Sequence, residues 1–255
     1  MVNLTQQLKL EDILSNVNAI QSNNPMPMEL LNIGKNFGQR FGFIHYRTTI
    51  PIVKTVHMID GVEDRAIIML DNKTVAVQEV NTKERKPTFT FNSSQFDPHV
   101  KDHQLDILVE NMGRESGWEM NVARKGLLGK VLTDEKVHEN WTIYPLDFNE
   151  TFMNQLNKST HWKAVEQTSA FTPTMLRGVL HVNGTPQDTF LNMSKWSKGV
   201  AFLNGFNLGR YWNRGPQKTL YVPAPLLRTG DNELMIFELH SPSQSVEFVD
   251  KPILN

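Results

Sequence analysis

The chain has 255 residues, of which 26 are basic and 27 acidic, so its formal net charge is −1, and it contains no cysteine. This balance, without a long basic block, argues against nucleic acid or an anionic membrane as a partner. The absence of cysteine excludes disulfides, thiolate nucleophiles and cysteine-ligated metals. The length allows a core without such cross-links, in one large domain or two of ordinary size.

Residues 1–40 have the weakest strand pattern in the sequence. Leu8 and Leu10 are able to close a short strand, and apolar residues from Ile13 to Ile20 recur at helical spacing. The cluster Asn23–Pro27 then breaks whatever precedes it. We interpret this segment as a connector that packs on a part of the protein upstream of it.

Short β-rich runs separated by polar turns follow from Phe41 onwards. The runs that predict strands are residues 43–49, 66–70, 74–80, 88–91 and 105–110, and then 177–182, 189–193, 200–203, 219–222 and 233–239. They predict an all-β fold of two antiparallel, jelly-roll-like β-sandwiches, residues 41–150 and 173–255. Residues 151–172 are predicted to be a crossover, with Phe152, Met153 and Leu156 on one helical face.

The two halves of the sequence share a weak internal echo. An apolar run ending in Asp71 and a later run ending in Glu110 parallel a run ending in Asn204 and a later run ending in Glu238. Two similar sandwiches would explain this pattern, although short apolar strands also match by chance.

The stretch from Trp196 to Trp212 gives the clearest local prediction. An apolar run meets Asn204-Gly205, the dipeptide best suited to a two-residue type I′ turn, and a second run continues to Trp212, so we predict a β-hairpin. Its aromatic residues are explained by core packing or by stacking on a sugar ring. Arg210 either locks this corner or grips sugar hydroxyls beside Trp212, and these two residues are the candidates for substrate binding.

The same stretch resembles the C-terminal signature of lysosomal-type β-galactosidases, glycoside hydrolase family 35, and the resemblance continues through Gly215-Pro216-Gln217 and Thr219–Pro223. Further motifs that resemble this family occur in its order at residues 42–51, 64–66, 108–114, 125–129 and 141–146. The resemblance covers about residues 40–253. It implies galactose-binding-domain-like sandwiches and, for a complete enzyme, retaining hydrolysis of terminal β-galactosyl residues in the lysosome or outside the cell.

Catalytic and metal-binding residues are not assigned. A glycosidase needs two carboxyl groups beside the scissile bond, whereas Glu110 and Glu238 end predicted strands, where we expect them to face solvent or accept turn hydrogen bonds. In the resembled family the catalytic glutamates lie on an N-terminal (β/α)8 barrel, which no segment matches and for which the predicted strands leave no room. His99 and His103 are interpreted as a solvated loop pair, and no motif predicts a metal or a cofactor.

Evidence on the cellular compartment is divided. The N-terminus has charges where a signal peptide needs an apolar segment, and no long apolar run occurs, so the sequence as written predicts neither an export signal nor a membrane span. Yet Asn-X-Ser/Thr sequons are in excess over the roughly three expected by chance, which favours a glycoprotein over mere richness in asparagine. The eight sequons begin at Asn3, Asn72, Asn92, Asn140, Asn149, Asn157, Asn183 and Asn192.

Two functions remain open at this point. The first is the non-catalytic C-terminal portion of a β-galactosidase, inactive alone, which supports the barrel and helps to form the substrate entrance or a homo-oligomer interface. Residues 1–40 would then pack on that barrel, and Met1 would be either an internal methionine or the start of a truncated paralogue. The second is a free-standing carbohydrate-binding module for β-galactoside glycans.

Overall fold

The computed structural model describes residues 1–33, 36–79, 86–114, 117, 123–166 and 172–254. It divides into two compact units. Val17–Phe152 forms the first sandwich, and Met1–Asn16 together with Met153–Asn255 forms the second sandwich. The strand ladders of both units are antiparallel, so the predicted all-β sandwich architecture is confirmed.

The N-terminal segment corrects the predicted connector. Strand β1 (Val2–Lys9) lies inside the sheet of the second sandwich, where Leu8 pairs with Met175 and Val2 pairs with Val246, and helix α1 (Leu10–Leu14) follows it. A β-bulge between Leu4 and Gln6 shifts the register of β1. The shift interrupts the alternation of apolar and polar residues, which is why the sequence pattern indicated only a short strand near Leu8 and not its full length.

The described residues of the first sandwich form fourteen strands. They are β2 (Ile20–Ser22), β3 (Asn32–Ile33), β4 (Asn36–Phe37), β5 (Phe43–Ile50), β6 (Thr55–Met58), β7 (Val62–Glu63), β8 (Arg65–Leu70), β9 (Lys73–Gln78), β10 (Thr88–Thr90), β11 (His103–Glu110), β12 (Gly126–Leu127), β13 (Val131–Thr133), β14 (Lys136–His138) and β15 (Trp141–Leu146). Four of them make two separate two-stranded ladders outside the main sheets, β3 with β4 and β7 with β12. A six-stranded sheet has the order β2-β15-β5-β11-β8-β9, and a four-stranded sheet has the order β10-β6-β13-β14.

The core of the first sandwich lies between these two sheets. Tyr46 on β5 and Ile107 on β11 face Val56 on β6 and Val131 on β13, and all four side chains are buried. The strands predicted in this half are confirmed to within a few residues, except that the run 74–80 ends at Gln78 and Val80 lies outside the described residues. In the smaller sheet only β10 was predicted, as the run 88–91, whereas β6, β13 and β14 were not.

The second sandwich is built on β1 and the C-terminal strands. Helix α2 (Glu150–Asn157) is followed by β16 (Lys163–Ala164), β17 (Thr174–Val182), β18 (Thr189–Asn192), β19 (Lys198–Leu203), β20 (Phe206–Trp212), β21 (Thr219–Val222), β22 (Gly230–Glu238) and β23 (Ser245–Val249). The strand order is β20-β19-β22-β17-β1-β23-β18-β21, with β16 paired to β1. Single turns of 3-10 helix occur at Met28–Leu30, Ser93–Gln95 and Ala224–Leu226.

The predicted crossover is partly helical. Phe152, Met153 and Leu156 are buried on one side of α2, as their spacing predicted. The two residues of β16 add a short edge to β1. Residues 167–171 of the predicted crossover lie outside the described residues.

The internal echo of the sequence corresponds to equivalent pairs of neighbouring strands. In the first sandwich β8 pairs with β11, and Arg65 lies opposite Glu110. In the second sandwich β19 pairs with β22, and Gly199 lies opposite Glu238. Each unit therefore places a glutamate at the end of a strand in the middle of its sheet.

Candidate functional site

The predicted hairpin between β19 and β20 is confirmed and positions both candidate binding residues. Asn204 and Gly205 have φ angles of 51° and 80°, as a type I′ turn requires, and Leu203 pairs with Phe206 across the turn. Because side chains alternate along a strand, Arg210 and Trp212 point to the same side of β20. The hairpin therefore presents the guanidinium and the indole together.

A cavity of about 170 Å³ lies at the seam between β20 and β21. These strands are the two ends of the strand order, yet they lie beside each other. Arg210 and Trp212 line the cavity from β20, and Gln217, Lys218 and Leu220 line it from the other side. A cavity of roughly 150 Å³ can hold a six-membered aromatic ring, so this space accepts a ligand of about one sugar ring.

The loop that closes the cavity is held by its own hydrogen bonds. The backbone N–H of Gly215 donates to the carbonyl of Trp212 at 3.1 Å, and the side-chain amide of Gln217 donates to the carbonyl of Thr219 at 2.7 Å. The ammonium of Lys218 donates to the carbonyl of Asn213. The cavity is thus largely pre-formed, as is usual for small-molecule sites.

The indole ring of Trp212 is already engaged by two cations. The Nζ of Lys198 lies 4.2 Å from the ring centroid, and the Cζ of Arg214 lies 4.3 Å from it. Such cation–π contacts contribute about 0.5–2 kcal/mol each, depending on exposure. A sugar that stacks on Trp212 has to compete with these cations, so contact with the indole edge and with the neighbouring polar groups fits the site better than face-on stacking.

Beneath this wall, Glu238 is fully buried, so of the two predicted environments it has not the solvent-facing one but the one in which it accepts hydrogen bonds from the turn that follows. Its carboxylate accepts hydrogen bonds from the backbone N–H groups of Ser197 and His240, at 3.1 and 2.8 Å, and from the Tyr211 hydroxyl at 3.0 Å. Burial raises the pKa of Glu238 despite these hydrogen bonds. The backbone donors that accompany the turn after β22 explain why a carboxylate is tolerated there.

Glu110 and His103 also differ from their predicted environments. Glu110 is only 2% exposed, because β11 is a central strand flanked by β5 and β8. His103 is the first residue of β11 and is completely buried, with its Nδ1 2.6 Å from Asp71 Oδ2 and its ring edge-on to Phe96. Glu110 and Glu238 belong to different sandwiches.

Four cationic or polar residues here were not among the predicted binding residues: Gln217 and Lys218, which line the cavity, and Lys198 and Arg214, which contact the Trp212 ring. The sequence did contain a signal for them. From Thr189 to Gly230 there is no aspartate or glutamate, whereas six basic residues occur, at positions 195, 198, 210, 214, 218 and 228. An acid-free stretch of this length in a chain of nearly zero net charge indicates a positively charged surface.

The sequon asparagines differ in how far their side chains are engaged. Seven of the eight are exposed, and Asn192 is half-buried. The Nδ2 atom, which would carry a glycan, donates to Glu233 in Asn157 and to Asp147 in Asn149. Asn72, Asn140 and Asn183 lie in exposed turns or strand ends.

Among the described residues, no group of three or more His, Cys, Asp or Glu side chains is arranged to hold a metal ion. Nor does any helix there combine the length and the apolar character that a bilayer crossing demands.

Comparison with known proteins agrees with this architecture. Residues 25–147 match the family described as "Beta-galactosidase, first all-beta domain", and residues 173–232 match "Beta-galactosidase, galactose-binding domain". The human Beta-galactosidase-1-like protein 2 is 36% identical over 238 residues, which cover 92% of this chain and 35% of that protein. Beta-galactosidase 1 of Dictyostelium discoideum is 34% identical over 251 residues, which cover 93% of this chain and 36% of that protein.

The chain thus spans about a third of the length of these relatives. Its two matched regions coincide with parts of the two sandwiches, and Arg210 and Trp212 lie within the second match. The chain therefore belongs to the β-galactosidase family, of which it contains the first all-β domain and the galactose-binding domain.

Proposed function

We propose that this chain is the non-catalytic C-terminal portion of a family 35 β-galactosidase and that it supports the catalytic barrel of that enzyme. The observation that carries this proposal is the pair of family matches together with a cavity whose described lining residues include no acid. Retaining hydrolysis needs two carboxyl groups about 5–5.5 Å apart at the scissile bond. A cavity lined by Arg210 and Lys218 supplies neither the acid/base nor the nucleophile.

The test of this proposal has two parts. The purified chain, incubated with a chromogenic β-galactoside, is expected to release no chromophore above the buffer rate. The human Beta-galactosidase-1-like protein 2 with its 238 aligned residues deleted is expected to lose soluble expression relative to the full-length protein. Turnover by the isolated chain at a rate typical of an intact glycosidase, or normal folding of the deleted relative, would contradict the proposal.

The cavity supports a second function, the binding of β-galactoside glycans by the second sandwich. It brings Arg210 and Trp212 together in a pre-formed space, inside the region that matches a galactose-binding domain. Titration with galactose and lactose is expected to change tryptophan fluorescence in a saturable way. Because Trp212 is in the cavity wall, Trp212→Phe should abolish the change, whereas Trp162→Phe, on the far side of the strand order near α2, should leave it intact. No saturation up to tens of millimolar sugar would count against this function.

We propose a secretory or lysosomal location for the complete protein, which is compatible with both functions. The exposed sequons Asn72, Asn140 and Asn183 are the expected glycan sites, whereas Asn149 and Asn157 should be modified less because their Nδ2 atoms donate hydrogen bonds. Glycopeptide mass spectrometry of the protein expressed in animal cells with an added signal peptide measures this directly. Equal occupancy at all eight positions would contradict the ranking.

A further inference from the structure

We infer that the cavity between β20 and β21 selects an anionic saccharide, a galactoside that carries a sulfate or carboxylate group, over a neutral one. This inference rests on the second function proposed above, binding of a sugar by the second sandwich. It is carried by the distribution of charge around the cavity, which is independent of the family matches.

The first observation is the composition of the cavity wall. Two of its lining side chains, Arg210 and Lys218, are cationic, and none of the described residues that line it is acidic. Arg210 comes from β20 and Lys218 from the loop before β21, so the two cations approach the space from opposite sides of the seam. A guanidinium is suited to planar, two-point recognition of sulfate or carboxylate, and an ammonium acts as a point charge beside it.

The second observation is the pair of cations immediately behind the wall. Lys198 and Arg214 both lie within 4.3 Å of the centroid of the Trp212 ring. The side chain of Lys198 is only 2% exposed, so water screens its charge less than that of a surface lysine. The two cations against one ring raise the positive electrostatic potential at the indole. An anion bound in the adjoining cavity reduces the repulsion between them.

The third observation is that the stretch of sequence which carries these cations contains no aspartate or glutamate. The cations near the cavity belong to the stretch from Thr189 to Gly230, which has six basic residues and no acidic one. The whole chain, by contrast, has 26 basic and 27 acidic residues. Four of the six basic residues in this stretch line the cavity or contact the Trp212 ring: Lys198, Arg210, Arg214 and Lys218.

The remaining wall is suited to the sugar itself. Gln217 contributes an amide, Tyr211 and Leu220 contribute apolar surface, and the volume of about 170 Å³ is that of one ring. A sugar ring with one charged substituent contacts both the polar and apolar side chains and the cations of this wall, whereas an inorganic anion contacts only the cations. The site therefore favours the charged sugar over the free anion.

The test is calorimetric titration of the full chain with galactose, galactose 6-sulfate and sodium sulfate, each at low and high ionic strength. Galactose 6-sulfate should bind at least about tenfold more tightly than galactose, and the preference should shrink when the salt concentration rises from about 0.02 to about 0.5 M. Sodium sulfate alone should bind more weakly than the sulfated sugar. Lys218→Gln and Arg210→Gln should each reduce the preference for the sulfated sugar several-fold.

Matched variants separate loss of charge from loss of structure. Arg210→Lys keeps the charge and should keep most of the preference. Lys158→Gln removes an exposed lysine on the same sandwich, away from the cavity, and should change nothing. Each variant is compared with the parent chain by thermal unfolding, so that a misfolded variant is recognised and replaced by its conservative partner.

The possible outcomes distinguish this inference from the function on which it rests. Equal binding of galactose and its sulfate overturns the anionic preference but leaves sugar binding standing. Failure of both sugars to bind overturns both. Sodium sulfate that binds as tightly as galactose 6-sulfate reduces the site to a simple anion site and also overturns the inference.

Discussion

The two sandwiches handle buried charge in opposite ways. In the first, opposite charges are paired inside the protein: the Nζ of Lys125 lies 2.6 Å from Asp64 Oδ1, and the Nε of Arg47 lies 2.7 Å from Asp106 Oδ1. In the second, the buried Glu238 is held by backbone N–H groups and a tyrosine hydroxyl, while cations gather around Trp212 and the cavity. Removing one partner of a buried ion pair is costly, whereas cations that gather at a cavity raise the electrostatic potential which a ligand meets there.

The largest expected effect comes from breaking the ion pair of Lys125 in the first sandwich. Lys125→Met leaves the Asp64 carboxylate, only 10% exposed, without its cation, and should lower the free energy of unfolding by about 3–5 kcal/mol. Urea denaturation measures the loss. Lys9→Met, which removes one partner of an ion pair that is about half exposed, is the control and should have no measurable effect. Equal effects of the two substitutions would show that burial of the pair does not matter.

The next largest loss of stability is expected at Gly199, where β19 and β22 of the second sandwich approach each other closely. A Cβ added at Gly199 would lie 1.9 Å from the carbonyl oxygen of Phe237 and 2.6 Å from the Tyr211 hydroxyl. Gly199→Ala should therefore force β19 away from β22, at a cost of about 1–3 kcal/mol, measured by thermal or urea unfolding. Gly205→Ala meets nothing within 4 Å and should cost only the roughly 1–2 kcal/mol of a left-handed backbone. A larger loss for Gly205→Ala would contradict the packing described for Gly199.

The smallest effect, and the sharpest contrast between the units, is in their pH dependence. Burial raises the pKa of Glu238, so the stability it contributes is present below its unfolded pKa and is lost as the pH rises through its folded pKa. For Asp106, burial alone would raise the pKa, but His45 and Arg47 hold it below its usual range. Its contribution is therefore present above the unfolded pKa and is lost as the pH falls.

Urea midpoints for the two units between pH 3 and pH 8 should reveal this opposition, with tryptophan fluorescence and near-UV circular dichroism as probes. Glu238→Gln should flatten the pH dependence of the second sandwich, and Asp106→Asn that of the first. A shift of both units in the same direction after either substitution would contradict the assignment of these groups. Retained stability of the second sandwich in acid agrees with the proposed lysosomal location.

The parts of the fold that depend on local pattern could be predicted from the amino-acid sequence. The runs at residues 43–49 and 105–110 and the Asn204-Gly205 turn were predictable because their apolar residues and turn chemistry occur within a few positions of one another. For strand β1 the sequence indicated only a short strand near Leu8, because the bulge interrupts the alternation, and it did not reveal that this strand pairs with β17 and β23. The burial of Glu110 and His103 was missed because it depends on which strands flank β11, and a local window holds no information about that.

For the candidate site, too, the local part was predictable and the tertiary part was not. The hairpin placed Arg210 and Trp212 on one side of a strand, and this follows from alternation alone. The cavity, in contrast, exists because β20 and β21, at opposite ends of the strand order, meet in space. The contribution of Lys218 therefore required the tertiary structure, although the acid-free stretch around it was visible in the sequence.

The most direct test of the central claim, that this chain binds β-galactosides in the second sandwich without cleaving them, is one NMR experiment. A 15N-labelled sample is mixed with lactose, the amide and indole N–H shifts are followed, and the anomeric proton signals of the sugar are recorded in the same tube. We predict shift changes at Arg210, Trp212 and Lys218, no change in the first sandwich, and lactose that stays intact for days. Appearance of free galactose and glucose, or shift changes confined to the first sandwich, would contradict the account.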